Sequence, residues 1–194
     1  MSLNIPPKID RVIRKGDDPI LRRVCAAVPP GEDVSDLVEL MTRVVKKARC
    51  AVGLAAPQIG VAKRVIALNC SLPPGPVRTL IMINPVLIAR SSDTDVETEM
   101  CLSYPGRSKS IRRWSSVTVE YQTVQRRTST LHLPGFAARV AQHEIDHLDG
   151  ICRVGDESPA DPEEPHSSLA DLSAVTATAM IAGMALPDPR KPNS

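Results

Sequence analysis

Aromatic residues are almost missing from this sequence, with one Trp, one Phe and two Tyr among 194 residues. The core must therefore come from Val, Leu, Ile, Met and Ala, each large aliphatic side chain contributing about 1.5–3 kcal/mol when fully buried. Strong net charge is missing too: 24 basic residues stand against 22 acidic ones. The basic residues are scattered and not interleaved with aromatics, so the sequence carries no nucleic-acid footprint. The five cysteines, Cys25, Cys50, Cys70, Cys101 and Cys152, are odd in number and irregular in spacing. That excludes a disulfide framework and a paired C-x-x-C zinc site, and the residues read as reduced thiols. No apolar run approaches the roughly 20 residues of a membrane span, and the opening MSLNIPPKIDRVIRKGDDPI lacks a signal-peptide core. A cytoplasmic protein without membrane attachment is the expectation. Internal repeats and low-complexity tracts are absent as well.

What is present is one domain's worth of patterned chain. From Asp36 to Cys50, the positions Leu37, Leu40, Met41, Val44, Val45 and Ala48 fall at helical spacing, with Arg43, Lys46, Lys47 and Arg49 on the other side. A Gly- and Ala-rich stretch follows. Short β-branched runs then predict strands at Arg64–Asn69, Arg78–Ile83, Val86–Ala89, Val96–Met100, Ser116–Gln122 and Ser129–Leu133, with a turn at Pro73–Pro76. Pro134-Gly135 closes the strand region. Phe136–Leu148 predicts a helix that Gly150 ends. Strands without alternating crossover helices imply an α+β fold, mostly antiparallel strands packed around that central helix, with the earlier helix toward the N-terminus. The catalytic domain is expected to span residues 1–155. Residues 156–194 form an acidic, proline-rich linker and extension, in which Ser168-x-x-Asp171 and an apolar stripe from Leu169 to Met180 predict a short C-terminal helix.

The chemistry concentrates in Gln142-His143-Glu144-Ile145-Asp146-His147, an H-E-x-x-H pattern inside the central helix. Residues four apart share a helix face, so His143 and His147 can offer imidazole nitrogens to one metal ion, with Glu144 placed to act as general base. These are two of only four histidines; His132 and His166 carry no such pattern and read as surface residues. A catalytic metal commonly takes three protein ligands. Downstream, Asp156, Glu157 and His166 lie in or beyond the proline-rich segment, whereas upstream Glu99-Met100-Cys101-Leu102-Ser103 offers a thiolate at Cys101. A thiolate with two imidazoles suits Zn, Fe, Co or Ni.

Three segments in order resemble the signatures of peptide deformylases: Ala51-Val52-Gly53-Leu54-Ala55-Ala56-Pro57-Gln58, then Glu99 to Ser103, then Gln142 to His147. Asp18-Pro19-Ile20-Leu21, Ile83-Asn84-Pro85 and Ala138-Arg139 add weaker likeness, and the resemblance covers roughly residues 10 to 155. It implies hydrolysis of the formyl group from the N-terminal formyl-methionine of nascent polypeptides, one divalent metal per chain, ferrous iron foremost, and transient proximity to the ribosome. Residue by residue, it implies Cys101, His143 and His147 as ligands, Glu144 as base and acid, and the Gln58 amide and Leu102 N–H as donors to the oxyanion. Val52 and Gly53 would receive the extended substrate. Glu99 and Arg139 would orient the ligands from behind, the alternatives being an ordinary ion pair or two unrelated surface charges.

Two residues depart from the family pattern, where glycine is usual: Ala51 and Met100. Strand alternation would turn Met100 away from Cys101 and into the core; a strand ending there would let Met100 line the substrate cleft instead. Other functions compatible with the residues are an H-E-x-x-H peptidase of another class, a paralogue acting on a different formamide, and a binder of formylated peptides without turnover.

Overall fold

The structure is a computed structural model that describes residues 10–48, 51–71 and 76–156. A 3-10 turn at Pro19–Arg22 precedes helix α1 (Ser35–Lys47), strand β1 (Gly53–Ala55) and a second 3-10 turn at Ala56–Ile59. Strands β2 (Val65–Ser71), β3 (Val77–Arg90), β4 (Thr94–Met100), β5 (Ser108–Trp114), β6 (Ser116–Gln122) and β7 (Thr128–Pro134) follow, and helix α2 (Gly135–Leu148) comes last. β1-β2-β3-β6-β7 make one antiparallel sheet, and β4-β5 a separate two-stranded one. The α+β expectation holds, with the H-E-x-x-H segment on α2. The expected C-terminal helix and His166 lie outside the described residues.

Within the five-stranded sheet β2 is buried on both faces, whereas the edge strand β7 has every second residue exposed. Ile66 and Leu68 join the cluster against Ala138, Ala141, Ile145 and Leu148 of α2, while Val65 and Ala67 join Met41, Val44 and Val45 of α1. Alternate residues of one strand thus serve two helices, so its sequence reads as a continuous apolar run with no polar face. Truncating a residue such as Ile145, 1% exposed, to Ala would cost about 2–5 kcal/mol.

Two strand expectations need correcting. The separate runs Arg78–Ile83 and Val86–Ala89 are parts of one 14-residue strand, β3. The break in pattern is a bulge: Asn84 has φ +52° and the register to β6 shifts between Ile83 and Val86, just where Pro85 has no N–H to pair. The Asn84 amide turns instead to the backbone of Val28, accepting from its N–H at 2.8 Å and donating to its carbonyl at 2.9 Å. β5 lay unpredicted because its inward position is Arg113, a charge where a core residue is expected; Arg113 is 1% exposed.

Candidate active site

α2 is buried along most of its length, polar residues included. Each polar side chain must therefore find a partner or a use. Gln142 finds both: its amide donates to the carbonyls of Trp114 and Ala138 at 2.9 and 3.0 Å and accepts from the Trp114 N–H at 3.0 Å, clamping the helix to the end of β5. The helix stops at Gly150, φ +74°, where a side chain would stand 2.5 Å from the carbonyl oxygen of Arg22.

On the opposite face of α2 from the sheet, the rings of His143 and His147 meet edge to face, their centroids 5.0 Å apart. Cys101, one residue past β4, brings Sγ to 3.3 Å from Nε2 of His147. One ligand atom from each of Cys101, His143 and His147 lies within 4.8 Å of the others. Metal–sulfur and metal–nitrogen bonds of ~2.3 and ~2.0 Å in a tetrahedral site demand spacing of this order. The donor set thus fits a single divalent ion.

Behind the ligands lies a buried ionic network. Glu99 Oε2 is 2.8 Å from Nδ1 of His143, and its two oxygens accept from Arg113 at 2.9 and 3.0 Å and from Arg139 at 2.8 Å. Arg113 also bonds Asp146, which Arg153 reaches at 2.9 Å. Burial alone would raise the Glu99 carboxyl, but His143 and Arg113 outweigh it and hold it well below the usual range. Burial likewise opposes ionisation of Cys101, yet His147 and His143 carry its thiol far below its ordinary value. At Glu144 the balance goes the other way. Desolvation pushes it up to about 7, only partly offset by the two histidines.

Glu144 is 4% exposed, and its Oε2 has no hydrogen-bond partner. Its other oxygen occupies the space beside Gly53, where a Cβ would stand 2.2 Å from it. A cleft of about 240 Å³ opens over this carboxylate, lined among others by Val52, Gly53, Gln58, Met100, Leu102, Phe136 and Arg139. Gln58, 2% exposed, is not a surface glutamine. The Ala55 N–H donates to its Oε1 at 2.8 Å, so the NH2 must point the other way, toward Cys101 Sγ at 3.4 Å and Ser103 Oγ at 3.3 Å.

Of the residues given roles from the sequence, Val52, Gly53, Gln58, Glu99, Met100, Cys101, Leu102, Arg139, His143 and Glu144 line this cleft, and His147 lies behind it against Cys101. Of the two readings of Met100, the structure has the cleft one: the residue is 48% exposed on the rim and lies outside the core. The alternation is real, with Glu99 and Cys101 at 6% and 3% exposure, but the other face of a two-stranded sheet is open. The sequence reading missed Arg113, Asp146 and Cys152. Only the alternation of Ile111 with Arg113 hinted at the first.

A fold that brings a thiol and two imidazoles within reach of one ion, under a buried carboxylate, has the make-up of a single-metal hydrolase. The polypeptide deformylase family model matches residues 10–161. The peptide deformylase of Natranaerobius thermophilus is 39% identical over 141 residues, covering 72% of this chain and 86% of its own. Among solved structures, peptide deformylase from Thermotoga maritima superposes with a TM-score of 0.67 at 33% identity, covering 76% of this chain and 97% of its own. The Met-Ala-Ser-bound class I type b enzyme from Acinetobacter baumannii gives 0.64 at 31% identity, covering 78% and 96%. This chain belongs to the polypeptide deformylase family, hydrolases that remove the N-formyl group from newly made polypeptides.

Proposed function

We propose that this chain hydrolyses the formyl group from the N-terminal formyl-methionine of nascent polypeptides, with Cys101, His143 and His147 holding iron(II), for which zinc, cobalt or nickel can substitute. The observation that carries the reading is the unpaired Oε2 of Glu144, a buried carboxylate facing the cleft between the three candidate ligands and the Gln58 amide. When bound, the ion supplies Lewis-acid chemistry, polarising the formyl oxygen and acidifying a water.

The chain's own groups do the rest. Glu144, its carboxyl raised to about 7 by burial, takes a proton from the attacking water and returns it to the departing amine, leaving formate and a free N-terminus. Negative charge gathers on the formyl oxygen as the water adds. The Gln58 NH2, whose orientation Ala55 fixes, and the Leu102 N–H donate to it, each worth about 3 kcal/mol in such a role. The peptide lies extended along Val52 and Gly53, pairing with the backbone as an added strand does. Arg139 and Glu99 keep His143 in register. Turnover takes place in the cytoplasm, where chains emerge from the ribosome; no described helix is long and apolar enough to cross a membrane. Anaerobic assay of the iron-loaded protein on a formyl-methionyl peptide should release one formate per free amine; no formate above the protein-free control would overturn the reading.

A further inference from the structure

We infer that Cys152 is a positioning residue for His147: its sulfur accepts the Nδ1–H of that ring and holds Nε2 toward Cys101 and the ion. The inference rests on the ligand assignment made above. Cys152 lies just beyond α2 and is 2% exposed. Its Sγ stands 3.2 Å from the carbonyl oxygen of Leu21 and 3.5 Å from Nδ1 of His147.

These two contacts have opposite polarity. A neutral thiol owns one hydrogen, and a carbonyl oxygen can only accept, so that hydrogen goes to Leu21. Toward the ring, the sulfur then has nothing to donate. It must accept, and Nδ1 must carry the hydrogen. An imidazole that binds a metal is neutral and has only one N–H, so with that hydrogen on Nδ1 the lone pair is left to Nε2, the nitrogen that stands 3.3 Å from Cys101 Sγ.

The two ligand rings are thus anchored by different chemistry. His143 leans on the carboxylate of Glu99 at 2.8 Å, a charged partner that makes the ring a stronger donor. His147 leans instead on the Cys152 sulfur, a weak acceptor, which sets the tautomer and tilt of the ring. The Leu21 carbonyl comes within reach because the chain turns closely at Gly150, which lies against the backbone of Arg22 and leaves no room for a Cβ. A second bond from the Cys25 N–H to the Leu148 carbonyl, 2.8 Å, holds the same N-terminal segment to the end of α2.

Cys152→Val keeps the volume and removes both bonds, whereas Cys152→Ser keeps a donor and an acceptor. Zinc affinity, measured by competition with a chromophoric chelator, should fall 10–100-fold in the valine variant and stay within about threefold of wild type in the serine variant. In zinc-loaded wild type the His147 Hδ1 proton should be visible by 1H–15N NMR, protected from exchange, and its shift should move in either variant. Should the valine protein fail to fold, the serine protein alone carries that shift test. Undiminished zinc affinity in Cys152→Val, an equal loss in both variants, or an Hδ1 shift indifferent to residue 152 would overturn the inference. Failure of unmutated protein to bind zinc would overturn the ligand assignment itself, a result seen before any variant is made.

Discussion

Glu99 Oε2 lies 2.8 Å from His143 Nδ1 while the same carboxylate accepts from Arg113 and Arg139, so one side chain on β4 ties a ring of α2 to two buried guanidiniums. The strand that delivers Cys101 and the helix that delivers both histidines are thereby fixed to each other through a charge cluster set behind the reacting centre.

Removing that charge has a defined cost. Glu99→Gln keeps the size and leaves Arg113 and Arg139 undercompensated, which should destabilise the fold by about 3–5 kcal/mol. The sign with pH follows from the direction of the shift. Because the folded value lies below the usual 4.5, the stabilisation is complete above pH 4.5 and is lost as acid is added below it. Wild type should therefore lose melting temperature more steeply than Glu99→Gln on acidification below pH 4.5; parallel slopes would show that Glu99 is not ionised by its neighbours.

Glu144→Ala separates proton handling from metal holding. Formate release should fall by about 10²–10⁴-fold, while metal content by elemental analysis stays close to one per chain. Retained turnover would remove Glu144 from the mechanism, and lost metal would move it among the ligands.

Cys101 should differ from the other thiols. Burial pushes Cys25 up to about 11 and raises Cys70 as well, whereas His147 and His143 outweigh burial at Cys101 and hold it far below the ordinary thiol value. Chelation should expose one additional cysteine to a thiol reagent, and its reaction should fall off less steeply on acidification below pH 8 than that of an ordinary thiol, since its value is lowered. An unchanged thiol count after chelation would free Cys101 from the metal site.

Met100→Gly tests the rim. Methionine is flexible and apolar, and at 48% exposure it narrows the cleft from one side. The glycine variant should bind bulky peptide-like inhibitors several-fold more tightly, with turnover of short formyl peptides changed by no more than about twofold. Equal inhibition constants would leave Met100 without a part in selectivity.

What could be read beforehand was what is local in the chain. Two histidines four residues apart announce one helix face by themselves, and a strand such as β2, apolar on both sides, announces burial. Arg113 could not be found that way, because its meaning comes from two carboxylate partners, Glu99 and Asp146, at sequence separations of 14 and 33 residues, the second of them shared with Arg153. Cys152 depends on a turn that brings Leu21 across from the far end of the chain. For Met100 the alternation itself was sound. What it lacked was the knowledge that β4 belongs to a two-stranded sheet with no third layer on that side.

Gly53 sets a limit on how this cleft can diversify. The smallest replacement adds one methyl group, and that methyl would stand 2.2 Å from the Glu144 carboxylate. A side chain can swing aside, so the fold would survive; the group that yields would be the proton carrier itself. No graded series of substitutions leads away from glycine here, because the first step already displaces the carboxylate. Heritable variation in substrate choice must enter at Val52, Met100 and Phe136, 39%, 48% and 55% exposed, where added bulk meets solvent before it meets the reaction.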